Sequence, residues 1–366
     1  MEITFRLQQI LEERGDQERG VIKRISQQAS LERHQVAALF HNRVKYVSLE
    51  SLAAVCNFLV RHYHIDPAQL PGMLFGLERG GFWSLLAERH YLELCLGMRR
   101  RPDLAERAWV MASDSLLQGT LLHEVSGTSI GGEENGANGA RPTPRALEQR
   151  LVSSPDESVD IERTQEEAKK VCKEFAEKTG DRALVCLGSQ KCNPVVEMIL
   201  AEAFRAEPFQ SITRLRDAKV PFLFRYRRQD PDPPSCCGGR QIKPAQPMKR
   251  AGIYYETAQG EWPCCPCNSR EDAALVFYRF HRTAARLHMV LAGFSGRATR
   301  CLASVLEGQS TEFWPPGYAT SELQVGAFIV QLKFKPSKDR STGPARHDSA
   351  DVIPISPEVL KRRLEG

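Results

Sequence analysis

Apolar residues in the first third of the chain recur at three- to four-residue spacing with few β-branched runs. Residues 4–122 therefore read as helical, punctuated by Pro71-Gly72. The pattern then changes. Residues 126–144 are glycine, proline and small polar side chains, a composition that cannot bury a core and predicts a linker. Beyond it, residues 164–180 form a helix pattern that opens on a Thr164/Glu167 capping box and closes on Gly180. A short buried strand is predicted over 183–188, followed by a helix from Asn193-Pro194. Strand patterns return at 273–280 and 287–293, a helix starts near Gly296, and a further strand spans 323–335. Alternation of this kind predicts an α/β layer. Residues 229–247 have loop composition, and the polar stretch after Pro336 reads as mobile apart from a short helix over 357–364.

These shifts divide the chain into five parts: an all-α domain over 3–72, a helical extension over 73–125, a linker over 126–160, an α/β domain over 161–335, and a tail over 336–366. A length of 366 residues is enough for two or three cores. In the extension, Trp83, Leu85, Leu86, Leu92, Leu94, Leu96 and Trp109 are the expected core. The extension would pack beside the first domain or dimerise it. Arg99, Arg100 and Arg101 read as solvated surface that can also touch phosphate.

Hydrophobic content of 42% and charged content of 26% fit a globular protein, and no apolar run reaches membrane-spanning length. The first residues are amphipathic and lack an apolar signal core, so a cytoplasmic, nucleoid-associated location is expected. Eleven cysteines in such a chain are reduced core residues or metal ligands rather than disulfides. A net charge of +5 says little by itself, but its distribution does. Arg19, Lys23, Arg24, Arg33, Arg43 and Lys45 face the single acid Glu32 across residues 19–45, whereas residues 1–18 are predominantly acidic.

Within that basic stretch, Ile25, Ala29, Leu31, Val36 and Leu39 occupy inward positions, and Ser26 and Ser30 supply the small residues that two steeply crossing helices require. A following helix carries Leu49, Leu52, Val55, Phe58 and Leu59 on one face. Residues 3–72 resemble the lambda-repressor-like (Cro/repressor) helix-turn-helix family, in which the turn usually holds glycine where Ser30 stands. The resemblance implies a recognition helix whose Glu32, Arg33, His34, Gln35 and Ala38 meet base edges of double-stranded DNA. Arg19, Lys23, Arg24, Arg43 and Lys45 would then meet phosphates, with the chain acting as a homodimer.

In the second half, two strand–glycine–helix turns share one design. They contribute Gly188, Ser189 and Asn193 on one side and Gly293, Ser295, Gly296, Arg297 and Thr299 on the other. Turns of this kind present helix amides to anions, so a nucleotide or phosphate is the candidate ligand. Glycine after a strand also serves a purely structural turn. This half resembles bacterial Rossmann-like sensor and effector domains. Cys236, Cys237, Cys264, Cys265 and Cys267 lie in loops, as free thiols or as zinc ligands. The expectation is a DNA-binding transcriptional regulator whose second domain senses a small molecule or a protein partner. The alternative is a nucleotide-processing enzyme targeted by its first domain.

Overall fold

Fourteen apolar residues spread over the first seventy-four positions close into one core, from Phe5 and Leu7 through Ile25, Val36, Leu39, Val55, Phe58 and Leu59 to Leu74. The computed structural model describes residues 2–16, 20–41, 44, 46–67, 70–78, 81–100, 108–130, 146–155, 160–243, 250–335 and 347–366. The elements of this first unit are β1 (Glu2–Phe5), α1 (Leu7–Glu13), α2 (Val21–Gln28), α3 (Arg33–Phe40), α4 (Leu49–Tyr63), α5 (Leu70–Leu74) and β2 (Phe75–Glu78). Antiparallel pairing of β1 with β2 ties its two ends together. Most of the inward positions expected from the pattern are buried. Leu49 is not: it opens α4 on the exposed side beside the Ser48 cap, whose hydroxyl accepts from the Ser51 amide.

The rest of the chain forms α6 (Ser84–Ala87), β3 (Tyr91–Arg100), β4 (Ala108–Val110), α7 (Ala112–Ile130), β5 (Ala146–Ser153), α8 (Ile161–Glu177), β6 (Arg182–Leu187), α9 (Pro194–Ala203), β7 (Phe222–Arg225), β8 (Gly238–Gly239), β9 (Gly252–Tyr255), β10 (Cys264–Pro266), β11 (Glu271–His281), β12 (Arg286–Gly293), α10 (Gly296–Gln309), β13 (Tyr318–Ala319), β14 (Leu323–Lys333), β15 (Ser349–Pro354) and α11 (Pro357–Glu365). Strands β5, β3, β6 and β12 lie side by side and parallel, and β11, β14 and β15 extend the sheet antiparallel. Helices α8 and α9 cover one face, together with the small β10-β9-β7-β8 sheet and α11. Helices α6, α7 and α10 cover the other. The result is a three-layer α/β arrangement whose central strands are apolar on both sides.

Four expectations are corrected here. Residues 73–125 are not a helical extension, because Tyr91–Arg100 is a strand of the main sheet. Its Leu92, Leu94 and Leu96 enter one core and Cys95 the other. Leucine-rich sequence favours helix locally, but pairing with β5 and β6 on either side overrides that preference. The 126–160 linker is likewise interrupted by β5, while 131–145 lie outside the described residues. The tail after 336 holds β15 and α11, whose Val359, Leu360 and Leu364 are buried. Trp109, expected in the core, is partly exposed.

The winding also differs from the Rossmann order. In chain order the parallel strands run 2-1-3-4, because α7 carries the chain out from β3 to β5 and α8 brings it back on the opposite face to β6. The α/β unit therefore starts near residue 81. A fragment of residues 1–78 is expected to unfold cooperatively with a helical circular dichroism spectrum. A fragment of residues 1–127 carries β3 without its long partners β5 and β6 and should aggregate through Leu92, Leu94 and Leu96. A well-behaved 1–127 fragment beside an unfolded 1–78 fragment would reverse this assignment of the boundary.

Candidate functional site

The polypeptide leaves β6 and β12 at the same edge of the sheet, next to the point where the strand order reverses, which is where open α/β sheets leave a crevice. Gly188 follows β6 with a positive φ of 89°, a conformation that suits glycine, and Ser189 turns the chain toward α9. Gly293 ends β12, and Ser295 caps α10 by accepting from the Arg297 and Ala298 amides. Between the two turns lies a cavity of about 80 Å3 lined by Gly188, Ser189, Gly293, Ser295, Gly296 and Thr299. Six of the eight residues expected to bind a ligand thus converge. That volume is well below the roughly 300–1,000 Å3 of a drug-sized pocket, so it suits a phosphate-sized group or the anionic end of a larger molecule.

Asn193 and Arg297 do not line the cavity. The Asn193 side chain caps α9, accepting from the Val195 amide and donating to the Cys95 and Leu187 carbonyls. Arg297 is held by the Asn268, Ser269 and Glu271 carbonyls and lies over the Phe334 ring. A single residue step along a helix start decides between lining a crevice and gripping the neighbouring loop.

The charges come from elsewhere in the chain. Arg99 from β3, Lys191 from the loop after β6 and Arg227 after β7 line the cavity, against Asp114 and Asp230. Asp230 accepts from Lys191 Nζ at 2.9 Å and from Arg227 Nη2 at 2.8 Å; burial opposes its ionisation, but these cations hold its carboxyl below the usual range. Lys191 Nζ also sits 4.4 Å over the Phe294 ring. Asp114, in the first turn of α7, is buried; Ser113 Oγ donates to it at 3.2 Å and Arg99 lies nearby. Burial pushes its carboxyl above the ordinary value. Three cations against two carboxylates leave the crevice net positive, and more so when Asp114 is protonated. The starts of α7 and α10 meet here as well, adding the positive ends of two helix dipoles. Gly97 lets the Cys192 carbonyl lie against β3, since a Cβ there would overlap it.

The cysteine groups are separated by the small sheet. Cys236 and Cys237 precede β8 at one edge, and Cys264 and Cys265 lie in β10 at the other, three strand spacings or about 14 Å away. They cannot share one zinc ion. Burial pushes Cys264 up to about 11 and Cys265 and Cys267 up to about 12, so all three are neutral thiols. Among the described residues, one group of three ligating side chains, Glu197, Cys236 and Cys237, comes within 4.8 Å. Its carboxylate is already saturated. Oε1 accepts from the Cys236 and Phe209 amides, and Oε2 from the Ser235 hydroxyl and the Cys237 thiol. This set fits a loop anchor rather than a zinc site.

In the first unit, Ser30 adopts φ 53° between α2 and α3, the left-handed conformation for which glycine is the usual choice. Ser26 closes the turn, its hydroxyl donating to the Leu31 carbonyl at 2.7 Å. Val36 and Leu39 bury one side of α3 and leave Glu32, Arg33, His34 and Gln35 exposed, with Ala38 half-buried. Lys23 is exposed. Arg24 is instead bound to Asp16, which also accepts from the Tyr63 hydroxyl, so it braces the unit internally. Arg19, Arg43 and Lys45 lie outside the described residues.

No protein-family model matches the chain, and no curated protein matches it. Among the described residues, no helix is long and apolar enough to cross a membrane.

Two outcomes follow from the crevice. Inorganic phosphate should raise the melting temperature with the logarithm of its concentration above Kd, worth about 2.7 kcal/mol at a hundred times Kd. Gly296→Val should remove that shift while the protein stays folded, because a Cβ there approaches only the Ser113 side chain among the described residues, at 3.4 Å, and the added methyls enter the crevice. Asp114 has a folded-state pKa above its unfolded value, so its cost to stability appears as pH rises through the folded pKa. Asp114→Asn should therefore stabilise the protein at neutral pH and tighten phosphate binding roughly tenfold, the scale of removing one nearby negative charge. Calorimetry and thermal melts at acid and neutral pH measure both. Equal phosphate affinity in the variant and the wild type would place Asp114 outside the anion's field.

Proposed function

We propose that the protein is a DNA-binding transcriptional regulator, acting as a homodimer, whose α/β unit senses an anionic small molecule in the crevice beside Gly188 and Gly293. The observation that carries the DNA-binding reading is the turn at Ser30. A left-handed residue between two eight-residue helices, closed by Ser26, presents the polar first turn of α3 outward while Val36 and Leu39 anchor its other side. This arrangement is similar to that of the lambda-repressor-like family and supports the reading, with Arg33 and Gln35 suited to guanine and adenine edges.

A second reading draws on Asp114. A buried acid with a raised pKa beside a helix-start anion site also suits general-acid chemistry on a nucleotide, with the first unit as a targeting module. Turnover of a nucleotide panel that is lost in Asp114→Asn would favour it.

Genome-wide enrichment of DNA with the tagged protein tests regulation directly, since discrete peaks give both the operator and the regulated genes. On that operator, Arg33→Ala and Gln35→Ala should each lose roughly 1–3 kcal/mol of discrimination against altered bases. Lys23→Ala should weaken operator and random DNA alike and reduce the salt slope by about one. Arg24→Ala should lower the melting temperature instead. If the Arg33 and Gln35 variants retain the wild-type ratio of operator to random binding, α3 is not the reading helix.

A further inference from the structure

Strand β5 forms an outer edge of the main sheet, and its alternation is unusual for an edge. Leu147 and Leu151 are 52% and 49% exposed and lie on the α7 face, in register with the buried Leu92 and Leu96 of β3. Leu116 of α7, on the same face of the sheet, is 48% exposed. Glu148 and Arg150 project to the opposite face, toward α8. The Ala146 amide donates to His90 and the Ser154 amide to Met98, so the even-numbered residues of β5 point their backbone groups at β3. Those of Leu147, Gln149 and Leu151 point outward, where β5 has no strand partner among the described residues. The outward row stops at Ser153, whose amide donates to Glu167.

We infer that this edge is the homodimer interface: β5 pairs antiparallel with β5 of a second copy about a two-fold axis through Gln149. In that register Leu147 faces Leu151 of the partner subunit, and Glu148 faces Arg150 of the partner subunit. Both contacts occur twice by symmetry. The three outward residues become the hydrogen-bonded pairs, each exchanging two N–H···O bonds for about six in all. No neighbouring register does as well. Sliding one strand by two residues sets Glu148 against its own copy or Arg150 against its own copy, and like charges directly opposite are unfavourable. The ladder joins two sheets into one and covers the apolar edge that would otherwise recruit other chains. The inference rests on the proposed function for the homodimer alone and locates its interface; DNA reading by α3 can hold or fail separately.

The test is the oligomeric state of the full chain without DNA, by sedimentation or light scattering across a concentration series. The wild type is expected to be a dimer. Gln149→Pro removes an outward amide without touching the bonds to β3 and should give a folded monomer with an unchanged circular dichroism spectrum. Glu148→Arg sets two like pairs against Arg150 and should raise the dimer dissociation constant at least roughly tenfold, which keeps the test decisive if the proline variant does not fold. A wild type that stays monomeric throughout the series overturns the inference, as does a folded Glu148→Arg protein that dimerises as tightly as the wild type.

Discussion

Parallel pairing of β6 between β3 and β12 commits every backbone group of that strand to a neighbour, and both of its faces are buried. The chain must then leave the sheet abruptly at Gly188, with room made by the bare Cα of Gly97 across the edge. Because β12 runs in the same direction, its exit at Gly293 meets the first. The start of α10, which follows β12, and the start of α7, which follows β4, both line that small volume. The backbone field in that volume is positive before any side chain is considered, since the amides and dipoles at helix starts are positive wherever they gather.

Side chains then set the sign and size of the crevice, and buried carboxylates hold its walls. Glu197 on α9 grips the loop at Ser235, Cys236 and Cys237, downstream of the Arg227–Asp230 turn that lines one side. Asp272 accepts from the Ser295 hydroxyl and from Arg297, fixing the start of α10. Asp230 is neutralised by two cations, whereas Asp114 has weaker compensation and a raised pKa. The crevice thus combines a positive frame with one carboxyl whose ionisation burial opposes.

The first unit works on the same economy at smaller scale. Its core is built by residues from every helix and sealed by the β1–β2 pair. Its outward α3 face is polar because Val36 and Leu39 already supply the inward contacts. Arg24 shows how a basic residue in such a region can be structural, since Asp16 and Tyr63 hold it against the fold.

Local pattern alone determined α2 and α3, the turn at Ser30, helices α8, α9 and α11, and strands β6, β11, β12 and β14, because each carries its periodicity and its caps within a dozen or so residues. The two glycine turns were legible for the same reason. Where pairing at long range decided the outcome, the sequence was silent. Tyr91–Arg100 became a strand because β5 and β6 flank it, and Ser349–Pro354 became β15 because β14 receives it. The charges of the crevice were invisible for a related reason: Arg99, Asp114, Lys191 and Arg227 are spread over more than a hundred residues and meet only through the winding of the sheet. Likewise, one step of helix phase removed Arg297 from the site, and the order of four short strands kept the cysteines apart. Periodicity fixes which side of an element is buried, but only the assembled tertiary structure fixes which elements share an edge.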